Sequence, residues 1–578
     1  MSRPLNAMAE QTIRLWAPLA TTAEVVVGDQ RRTMQRADSE HWTTRLPVGT
    51  DYLLAVDGQE PRPDPRSAQQ PHGVHGCSRV FDTAAHSWQD TDWAGREVLG
   101  SVCYELHVGT FTPEGTLDAA IEKLDHLAWL GVQTIELMPL TPFPGSRGWG
   151  YDGVAIYAVH EAYGGPAALQ RFVDAAHRMG LAVCLDVIYN HFGPDGNYAP
   201  VFAPYFTSRH DTPWGSAINL DDEHSEGVRE FICDNAVRWI REFHMDALRL
   251  DAVHALIDDS PTNILAELAD RIAALRLELG RPVQLIAESD LNQVKMVLPR
   301  QAGGLGIDGQ WDDDVHHALH AYLTQETFGY YVDFGSAKIL SKALEQVFVH
   351  DGSWSTFRNR PWGSPVGPEV PRRKFVVFTQ NHDQVGNRGR GDRPSERLSA
   401  GTQAGAIAIL LLSPFTPLLF QGQEWGTRRP FQFFTDHEPE LGAAVTAGRL
   451  AEFAGHDWQA IYGPDLLIPD PQAVETFTAS KLDWSELAQP EHAALLDWHR
   501  RLIGLRMELG DCREPIRTDH GDDWFRMVHG PFTVLICPGS RPVRVAEHRN
   551  RVAARWGTVR IAAGIAELGG HSVVVLRD

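Results

Sequence analysis

Between about residues 101 and 420, short apolar runs alternate with longer segments in which apolar residues recur at helical spacing. Strands are predicted at eight of these runs: Ser101–His107, Val132–Met138, Leu181–Val187, Met245–Leu250, Val283–Ala287, Leu305–Gln310, Lys374–Thr379 and Pro417–Phe420. Helices are predicted at Leu117–Leu130, Ala167–Met179, Gly227–Glu242, Ile264–Leu277, Thr402–Leu412 and Glu491–Leu509. Regular alternation of strands with helices indicates an α/β domain built on a parallel sheet.

The distribution of polar residues favours a closed barrel over an open sheet. Acids, histidines, arginines and amides follow nearly every predicted strand, for example Asn190 and His191 after the third strand and Asp251 after the fourth. In an open sheet such residues gather at one switch point, whereas the strands of a barrel all open onto one pocket. The predicted fold is therefore a (β/α)8 TIM barrel.

Strand-like runs without helical spacing flank this barrel on both sides. Residues 1–95 include Thr12–Trp16 and Asp51–Val56, which predict an N-terminal β-sandwich of the carbohydrate-binding-module type. Residues 511–578 predict a C-terminal β-domain. The catalytic barrel is assigned to 96–510, and its long aromatic, Gly- and Pro-rich stretch at 190–225 predicts a small excursion domain that walls the pocket after the third strand.

Size and charge narrow the possible partners. The 578 residues exceed what one hydrophobic core supports, which fits several domains. A net charge of −23 argues against nucleic acid or an anionic membrane, because either would require a basic face. Seventeen tryptophans fit a ligand with flat faces, such as a sugar, although burial in the core explains any single one.

Cysteine usage and the termini predict a cytoplasmic protein. Six scattered cysteines form no C-x-x-C pair, which is typical of a reduced compartment. The segment Met1–Gln11 is polar and lacks the apolar centre of a secretory signal. The longest apolar stretch, Ala404–Leu412, is too short to span a bilayer.

Arg249 and Asp251 are the first candidate pair for chemistry. They lie two residues apart on a predicted strand, so both side chains face the barrel interior. An adjacent arginine is expected to lower the pKa of the Asp251 carboxyl and keep it ionised, as a nucleophile requires. A structural ion pair at a strand end is the alternative explanation.

Glu288 is the candidate general acid. It follows the apolar run Val283–Ala287, and a carboxyl among apolar neighbours and other acids is expected to have a raised pKa and to hold a proton. A helix cap or a surface ion pair is the alternative for a lone glutamate at a strand end.

The segment Asn381–Gln384 places four polar groups, including His382 and Asp383, directly after an apolar strand. Such a cluster suits a pocket that binds hydroxyl groups, and a turn capped by asparagine is the alternative. His191, His254 and His382 lie on different strands without metal-ligand spacing, so they are expected to hydrogen-bond hydroxyl groups. We expect no metal and no cofactor.

Taken together, these residues predict opening of a glycosidic bond with retention of configuration. One ionised and one protonated carboxyl group suffice for a covalent glycosyl–enzyme, and retention requires them to lie roughly 5–5.5 Å apart. Asp383 would then bind the sugar hydroxyls. The segment Trp149–Asp152, with Tyr151 and Asp152, would supply an aromatic platform for the ring.

At these positions the chain resembles the α-amylase family of glycoside hydrolases, whose four signature regions are matched in order. The matching segments are Asp186–His191, Asp246–His254, Ala287–Asp290 and Gln380–Gln384. The resemblance implies that Asp251 is the nucleophile, Glu288 the acid/base and Asp383 the stabiliser of the transition state. It also implies that Arg249, His191, His254, His382 and Tyr151 line the subsite of the attacked glucose.

Further blocks are similar to one subgroup of that family. They are Asn190–Tyr198, Thr212–Gly215, Gln380–Arg388, Phe433–His437 and Ser480–Trp484. That subgroup cleaves the α-1,4 bond beside a terminal trehalose in maltooligosyltrehalose, a substrate made by a separate synthase. It generally binds no calcium.

One departure from the family and several specificity candidates accompany this resemblance. Gln421–Gly426 stands where a Met-Gly-Glu-Glu type sequence is commoner and could alter how the pocket rim is held. The shape of the pocket is expected to distinguish a trehalose end from a maltose end of the substrate. The candidate residues for this distinction are Phe192, Trp214, Trp425 and Tyr330–Tyr331.

Two other functions compete with hydrolysis. A glycogen branching enzyme uses the same intermediate but transfers it to another glucan instead of water. A non-catalytic barrel that only binds glucan is the second alternative, but such proteins typically lack one of the three carboxylates that are present here.

Overall fold

The computed structural model describes residues 9–212, 215–454, 458–463 and 466–578. Its first part contains two small sheets, which face each other across a core that includes Leu15, Val25, Trp42 and Leu54. One sheet has the strand order Glu10–Trp16, His41–Pro47, Gln35–Arg36, and the other has the order Gln30–Thr33, Ala23–Val27, Asp51–Val56, Ser78–Arg79.

Eight parallel strands then close into a barrel, which confirms the predicted fold class. In chain order the strands are Cys103–Leu106, Thr134–Leu137, Ala182–Val187, Ala247–Leu250, Gln284–Ala287, Gly309–Trp311, Phe375–Phe378 and Thr416–Phe420. We number them one to eight. The sixth strand is displaced from its predicted position at Leu305–Gln310, because its first four predicted residues form the loop that leads into it.

Helices cover the outside of the barrel. The principal ones are Leu117–Ile121 with Leu124–Leu130, Gly165–Arg178, Ser225–Glu242, Ile264–Leu279, Asp313–Thr324, Ala337–Gln346, Ala400–Leu412 and Pro490–Leu509. The single helix predicted at Leu117–Leu130 is therefore divided in two. Between the fifth and sixth strands, the described chain forms only two short 3-10 turns, Val294–Met296 and Arg300–Ala302. Every described helix is too short or too polar to cross a bilayer.

The barrel interior is layered. An apolar cluster that includes Cys103, Cys184 and Ala247 fills its lower part. Two residues further along the same three strands, the interior positions are occupied by Glu105, Asp186 and Arg249. The strands therefore carry charge to the level of the carboxyl ends, directly above an apolar floor.

The excursion after the third strand contains the short helix Ala199–Phe202 and the antiparallel strands Phe206–Thr212 and Gly215–Ile218. The N-terminal part of the chain holds its first loop in place. His75 contacts the Asp195 carboxylate at 3.1 Å and the Tyr198 hydroxyl at 2.7 Å. The Arg62 guanidinium also stacks on the Tyr198 ring.

The C-terminal region forms two antiparallel sheets. One has the order Arg517–His520, Phe525–His529, Phe532–Cys537, Ser572–Arg577, Arg551–Trp556, and the other has the order Val543–Ala546, Ile565–Leu568, Val559–Ala562. Helix Ala400–Leu412 packs against the first sheet, so this region is attached to the barrel by apolar contact. Two further helices, Pro439–Ala454 and Trp458–Tyr462, precede helix Val474–Ala479 in the long connection after strand eight.

Trp16 joins the N-terminal sheets to the barrel. Its indole is buried in the main barrel core, edge-on to Tyr205 at 5.1 Å. It also lies against Gly227 in helix Ser225–Glu242, where a Cβ atom would stand 2.1 Å from the ring. The helix accepts the indole at this point because residue 227 has no side chain.

Replacing Gly227 by alanine tests this contact. Alanine favours a helix by about 1 kcal/mol, but displacing a packed ring costs about 1–3 kcal/mol. We expect Gly227→Ala to lower the melting temperature measured by calorimetry. The matched control is Gly504→Ala in helix Pro490–Leu509, where nothing lies within 4 Å of the new Cβ, and it should raise the melting temperature. Equal stabilisation by both variants would contradict the packing described.

Candidate active site

A cleft of about 610 Å³ opens at the carboxyl ends of the barrel strands. Asp251, Glu288 and Asp383, the three acids singled out in the sequence, all line this one cleft. Their neighbours in its wall are Trp149, Tyr151, Asp152, His191, Phe192, Pro194, Ala252, His254, His382 and Phe433. The structure therefore brings together acids that are distant in the sequence.

Arg249 lies beneath the cleft with no exposed surface. Its Nη1 donates to Asp186 Oδ2 at 2.6 Å and to Asp251 Oδ1 at 3.0 Å, and its Nη2 lies 3.9 Å from Glu288 Oε2. Asp186 is the register partner of Arg249 on the adjacent third strand, which explains this close pairing. The ring of Trp311 covers the guanidinium at 4.2 Å. One cation therefore orders both candidate catalytic carboxyl groups.

The prediction that Arg249 would hold the pKa of Asp251 below its usual range is wrong. Burial is the main cause that raises the pKa of Asp251 to about 8; Asp186, Glu288 and Asp383 contribute to the increase, and Arg249 opposes it. Sequence spacing identified the arginine but gave neither the burial nor the number of neighbouring acids.

The predicted raised pKa of Glu288 is confirmed. Burial is the main cause, Arg249 opposes it, and Asp383 adds to the increase. Because both carboxyl groups titrate high, the Asp251–Glu288 pair retains a proton near neutral pH. Arg249 lies closer to Asp251 than to Glu288, so the negative charge is favoured on Asp251 and the proton on Glu288.

Local backbone geometry fixes Glu288. It directly follows strand five, and its Oε2 accepts a hydrogen bond from the Ala252 amide at 2.6 Å. Ala252 has a φ of 39°, a left-handed conformation that is costly for alanine. This strained residue directs its N–H group at the carboxylate, so the loop after strand four helps to hold the acid that follows strand five.

His382 connects the cleft to the interior acids. Its Nδ1 bonds the Glu105 carboxylate, its backbone amide donates to the same group at 3.0 Å, and its Nε2 lies 2.8 Å from the Tyr151 hydroxyl. Burial opposes a charge on this imidazole, but Asp383 and Glu105 outweigh it and raise the pKa of His382 to about 9. His382 is thus a second cation beside the cleft.

Sequence analysis missed Glu105 and its neighbour Glu136, which are in register on strands one and two. Burial and the adjacent Glu105 raise the pKa of Glu136 to about 8, so it stays uncharged near neutral pH. A single acid inside an apolar strand was the available signal. Phe433 and Pro194 appeared only within longer blocks, and nothing local marked them as cleft residues.

The other predicted residues occupy varied positions. His191 Nε2 lies 2.9 Å from the Tyr151 carbonyl, and Asp152 lies 3.5 Å from His437. Asp383 has 43% of its side chain exposed and accepts a hydrogen bond from Asn387. His254 lines the cleft beside these residues.

Among the described residues, three candidates do not line the cleft as expected. Gln384 is not among the lining residues, and its side-chain amide donates to Asp313 at 3.3 Å. Trp425 is fully buried and donates to Glu486 at 3.0 Å, so it belongs to the packing beneath strand eight. Gln421 and its neighbours are buried there too, away from the pocket rim. Trp214 lies outside the described residues.

Two groups of side chains in the described chain have the spacing of metal ligands, and neither includes a cleft residue. In the group Asp90, His177 and His244, both ring nitrogens of His177 already bond carboxylates. In the group His210, Asp221 and Asp259, the Arg209 guanidinium lies within 4.0 Å of both acids. Hydrogen bonds or ion pairs within the chain therefore already engage each of these side chains.

Comparison with known proteins agrees with this geometry. Residues 81–202 match the family model for the catalytic domain of alpha-amylase. The malto-oligosyltrehalose trehalohydrolase of Arthrobacter ramosus is 50% identical over 97% of this chain and 99% of its own length. A crystal structure of an alpha-amylase-like protein from Salmonella typhimurium superimposes with a TM-score of 0.90 at 37% identity, covering 99% of both chains. The 1,4-alpha-glucan branching enzyme of Leifsonia xyli is more distant, at 27% identity over 73% of this chain and 60% of its own.

The raised pKa of Asp251 predicts how stability depends on pH. Its pKa is about 8 in the folded protein and about 3.9 when unfolded, so between these values the folded Asp251–Glu288 pair retains a proton that the unfolded chain has lost. Wild-type stability must then fall as pH rises through this window. We expect Asp251→Asn to melt above the wild type by a margin that grows from pH 4.5 to pH 8.

The matched control is expected to show the opposite change in relative stability with pH. A side-chain hydrogen bond from Arg171 lowers the pKa of Asp118, so Asp118→Asn should lose stability, relative to the wild type, as pH rises from about 3 to 5. A melting difference between Asp251→Asn and the wild type that does not change with pH would show that the folded Asp251–Glu288 pair retains no proton in this range.

Proposed function

The chain belongs to the malto-oligosyltrehalose trehalohydrolase family, within the α-amylase type of glycosidases, and we propose that it cleaves maltooligosyltrehalose with retention of configuration. The bond hydrolysed is the α-1,4-glucosidic bond beside the terminal trehalose, and free trehalose is the product. The observation that carries this proposal is the convergence of Asp251, Glu288 and Asp383 on one cleft above a single arginine.

Asp251 is the proposed nucleophile. Its Oδ1 is held by Arg249, so Oδ2 attacks the anomeric carbon of the glucose beside the scissile bond. A carbon–oxygen bond forms to the carboxylate as the bond to the leaving oxygen breaks, giving a glycosyl ester. Water then attacks the same carbon and releases Asp251 as a carboxylate, and two inversions leave the configuration unchanged.

Glu288 is the proposed acid and base. Its Oε2 is occupied by the Ala252 amide, so Oε1 carries the proton that passes to the departing trehalose oxygen. The negative charge thereby moves from Asp251 to Glu288 during the first step. In the second step Glu288 takes a proton from the attacking water, which restores the starting state.

The remaining polar residues are proposed to bind the attacked glucose. Asp383 accepts hydrogen bonds from ring hydroxyls, and the charged His382 imidazole lies 3.5 Å from its carboxylate. His254 and Asp152 offer further polar atoms in the wall of the cleft, and His191 lines it beside them. Tyr151 stacks on His382 with ring centroids 5.2 Å apart and supplies a flat surface for the sugar.

We further propose a division of the chain into an N-terminal sandwich at 1–95, a catalytic barrel at 96–510 and a C-terminal domain at 511–578. Within this scheme the sandwich supports the excursion loop through His75 and Arg62. The six cysteines are all unpaired, which supports a reducing, cytoplasmic location. The substrate implies a separate synthase that forms its trehalose end.

Replacing the catalytic acids tests the assignment. We expect Asp251→Ala and Glu288→Gln to lower kcat by about 10³-fold or more while leaving the melting temperature near that of the wild type or above it. Trehalose release from maltotriosyltrehalose gives the rate. Proton NMR should show that the cleaved maltooligosaccharide appears first as the α-anomer, as retention requires.

The same assay separates hydrolysis from the alternative functions. A branching enzyme would produce new α-1,6 linkages without free trehalose, and a non-catalytic glucan-binding barrel would give no product. Asp118→Asn, on the outside of the barrel, should match the wild-type rate. Wild-type turnover in either catalytic variant would rule out the roles assigned to Asp251 and Glu288.

A further inference from the structure

Three consecutive acids, Asp312, Asp313 and Asp314, follow strand six, and two of them have structural partners. Asp312 caps helix Asp313–Thr324 by accepting from the Asp314 amide at 3.0 Å. Asp314 accepts from the Val349 and His350 amides at 2.7 and 3.1 Å. Asp313 differs from both of these acids. It is half-buried, and within the described residues its carboxylate accepts a hydrogen bond from the side-chain amide of Gln384.

The strand order places Asp313 between two of the catalytic acids. Strands five, six and seven are direct neighbours, with Ala287 in register with Gln310 and Trp311 in register with Val376. Glu288 follows strand five, and Asp383 lies in the turn after strand seven. Asp313 lies two residues beyond the end of strand six. It therefore stands on the barrel rim between Glu288 and Asp383.

The electrostatics of Asp313 agree with this position. Burial raises the pKa of Asp313 to about 8, and its largest charged contributors are Glu288 and then Asp383. An uncharged carboxyl group can both donate and accept hydrogen bonds, which suits a sugar hydroxyl.

The order of strands also gives the side of the cleft on which Asp313 lies. Asp251 follows strand four and bonds the glucose that stays on the enzyme. Glu288 follows strand five and protonates the departing oxygen. Asp313 follows strand six, which strand five separates from strand four. Because each displacement inverts the anomeric carbon, the leaving oxygen lies opposite Asp251 and beside Glu288, and strand six is the next strand in that direction.

Gln384 fixes the Asp313 carboxyl group. The backbone amide of Gln384 donates to Asn381 Oδ1 at 2.8 Å. The Tyr331 hydroxyl donates to the side-chain oxygen of Gln384 at 3.5 Å. Tyr331 is in turn held by His316 at 3.1 Å. With both ends of its amide occupied, Gln384 orients Asp313 Oδ1 and leaves Oδ2 for a ligand.

We propose that Asp313 is a specificity-determining residue that hydrogen-bonds the hydroxyl groups of the departing trehalose, and that Gln384 is its positioning residue. This inference rests on the proposed function, since it concerns the leaving group of that reaction. It assigns to Gln384 an indirect part in substrate binding, through the acid that it holds.

Two substrates of equal length test the inference. Maltotriosyltrehalose and maltopentaose both contain five glucose units, but only the first has trehalose as its leaving group. For Asp313→Ala we expect kcat/KM for trehalose release to fall about tenfold or more, and kcat/KM for maltopentaose hydrolysis to fall less than about threefold. Asp313→Asn retains a donor and an acceptor and should lose less than Asp313→Ala.

Gln384→Leu and Asp118→Ala complete the set. Gln384→Leu should change the ratio of the two kcat/KM values in the same direction as Asp313→Ala, and Asp118→Ala should leave it unchanged. Trehalose binding measured by calorimetry should weaken about tenfold in Asp313→Ala. Should Asp313→Ala fail to fold, Asp313→Asn and Gln384→Leu carry the comparison.

The outcomes distinguish the two levels of the argument. If the wild type releases no trehalose, the proposed function fails and the role of Asp313 falls with it. If the wild type releases trehalose but Asp313→Ala lowers both activities equally, or neither, the proposed function stands and the specificity role is overturned.

Discussion

The Arg249 guanidinium is the interaction on which the rest of the cleft depends. It has no exposed surface, and it contacts Asp186 and Asp251 with Glu288 just beyond hydrogen-bonding distance. A buried charge is tolerated only when it is paired, and leaving it without any partner costs about 3–5 kcal/mol. Arg249 and His382 face more carboxyl groups than they can neutralise. Protons must therefore remain on some of these acids, and a protonated acid beside an ionised one is what glycosidic cleavage requires.

The barrel could be predicted from the sequence because its strands and helices carry different apolar periods. Part of the site could be predicted in the same way, because side chains alternate along a strand and Arg249 and Asp251 must therefore face the same side. The sixth strand was displaced because three residues, Gly309–Trp311, are too few to show a period. Glu105 and Asp313 were missed because their importance lies in their contacts with His382 and Gln384, which are distant in the sequence.

The pKa of Asp251 shows the limit of reading charge from neighbouring residues. The sequence displays the arginine two positions away, and that contact exists at 3.0 Å. The three surrounding acids come from strand three and from the loops after strands five and seven, and together with burial they outweigh the arginine. Direction and magnitude of such a shift are properties of the assembled barrel, so local sequence identifies the participants but not the balance among them.

The contact between Trp16 and Gly227 has a consequence for synthesis of the chain. The ribosome synthesises the two N-terminal sheets long before helix Ser225–Glu242. The indole at the end of strand Glu10–Trp16 therefore lacks its packing partner Gly227 when it first emerges. Domains generally fold as units during translation, and exposed apolar surface favours aggregation. The nascent chain therefore carries this aromatic side chain without its native partner until helix Ser225–Glu242 has been made.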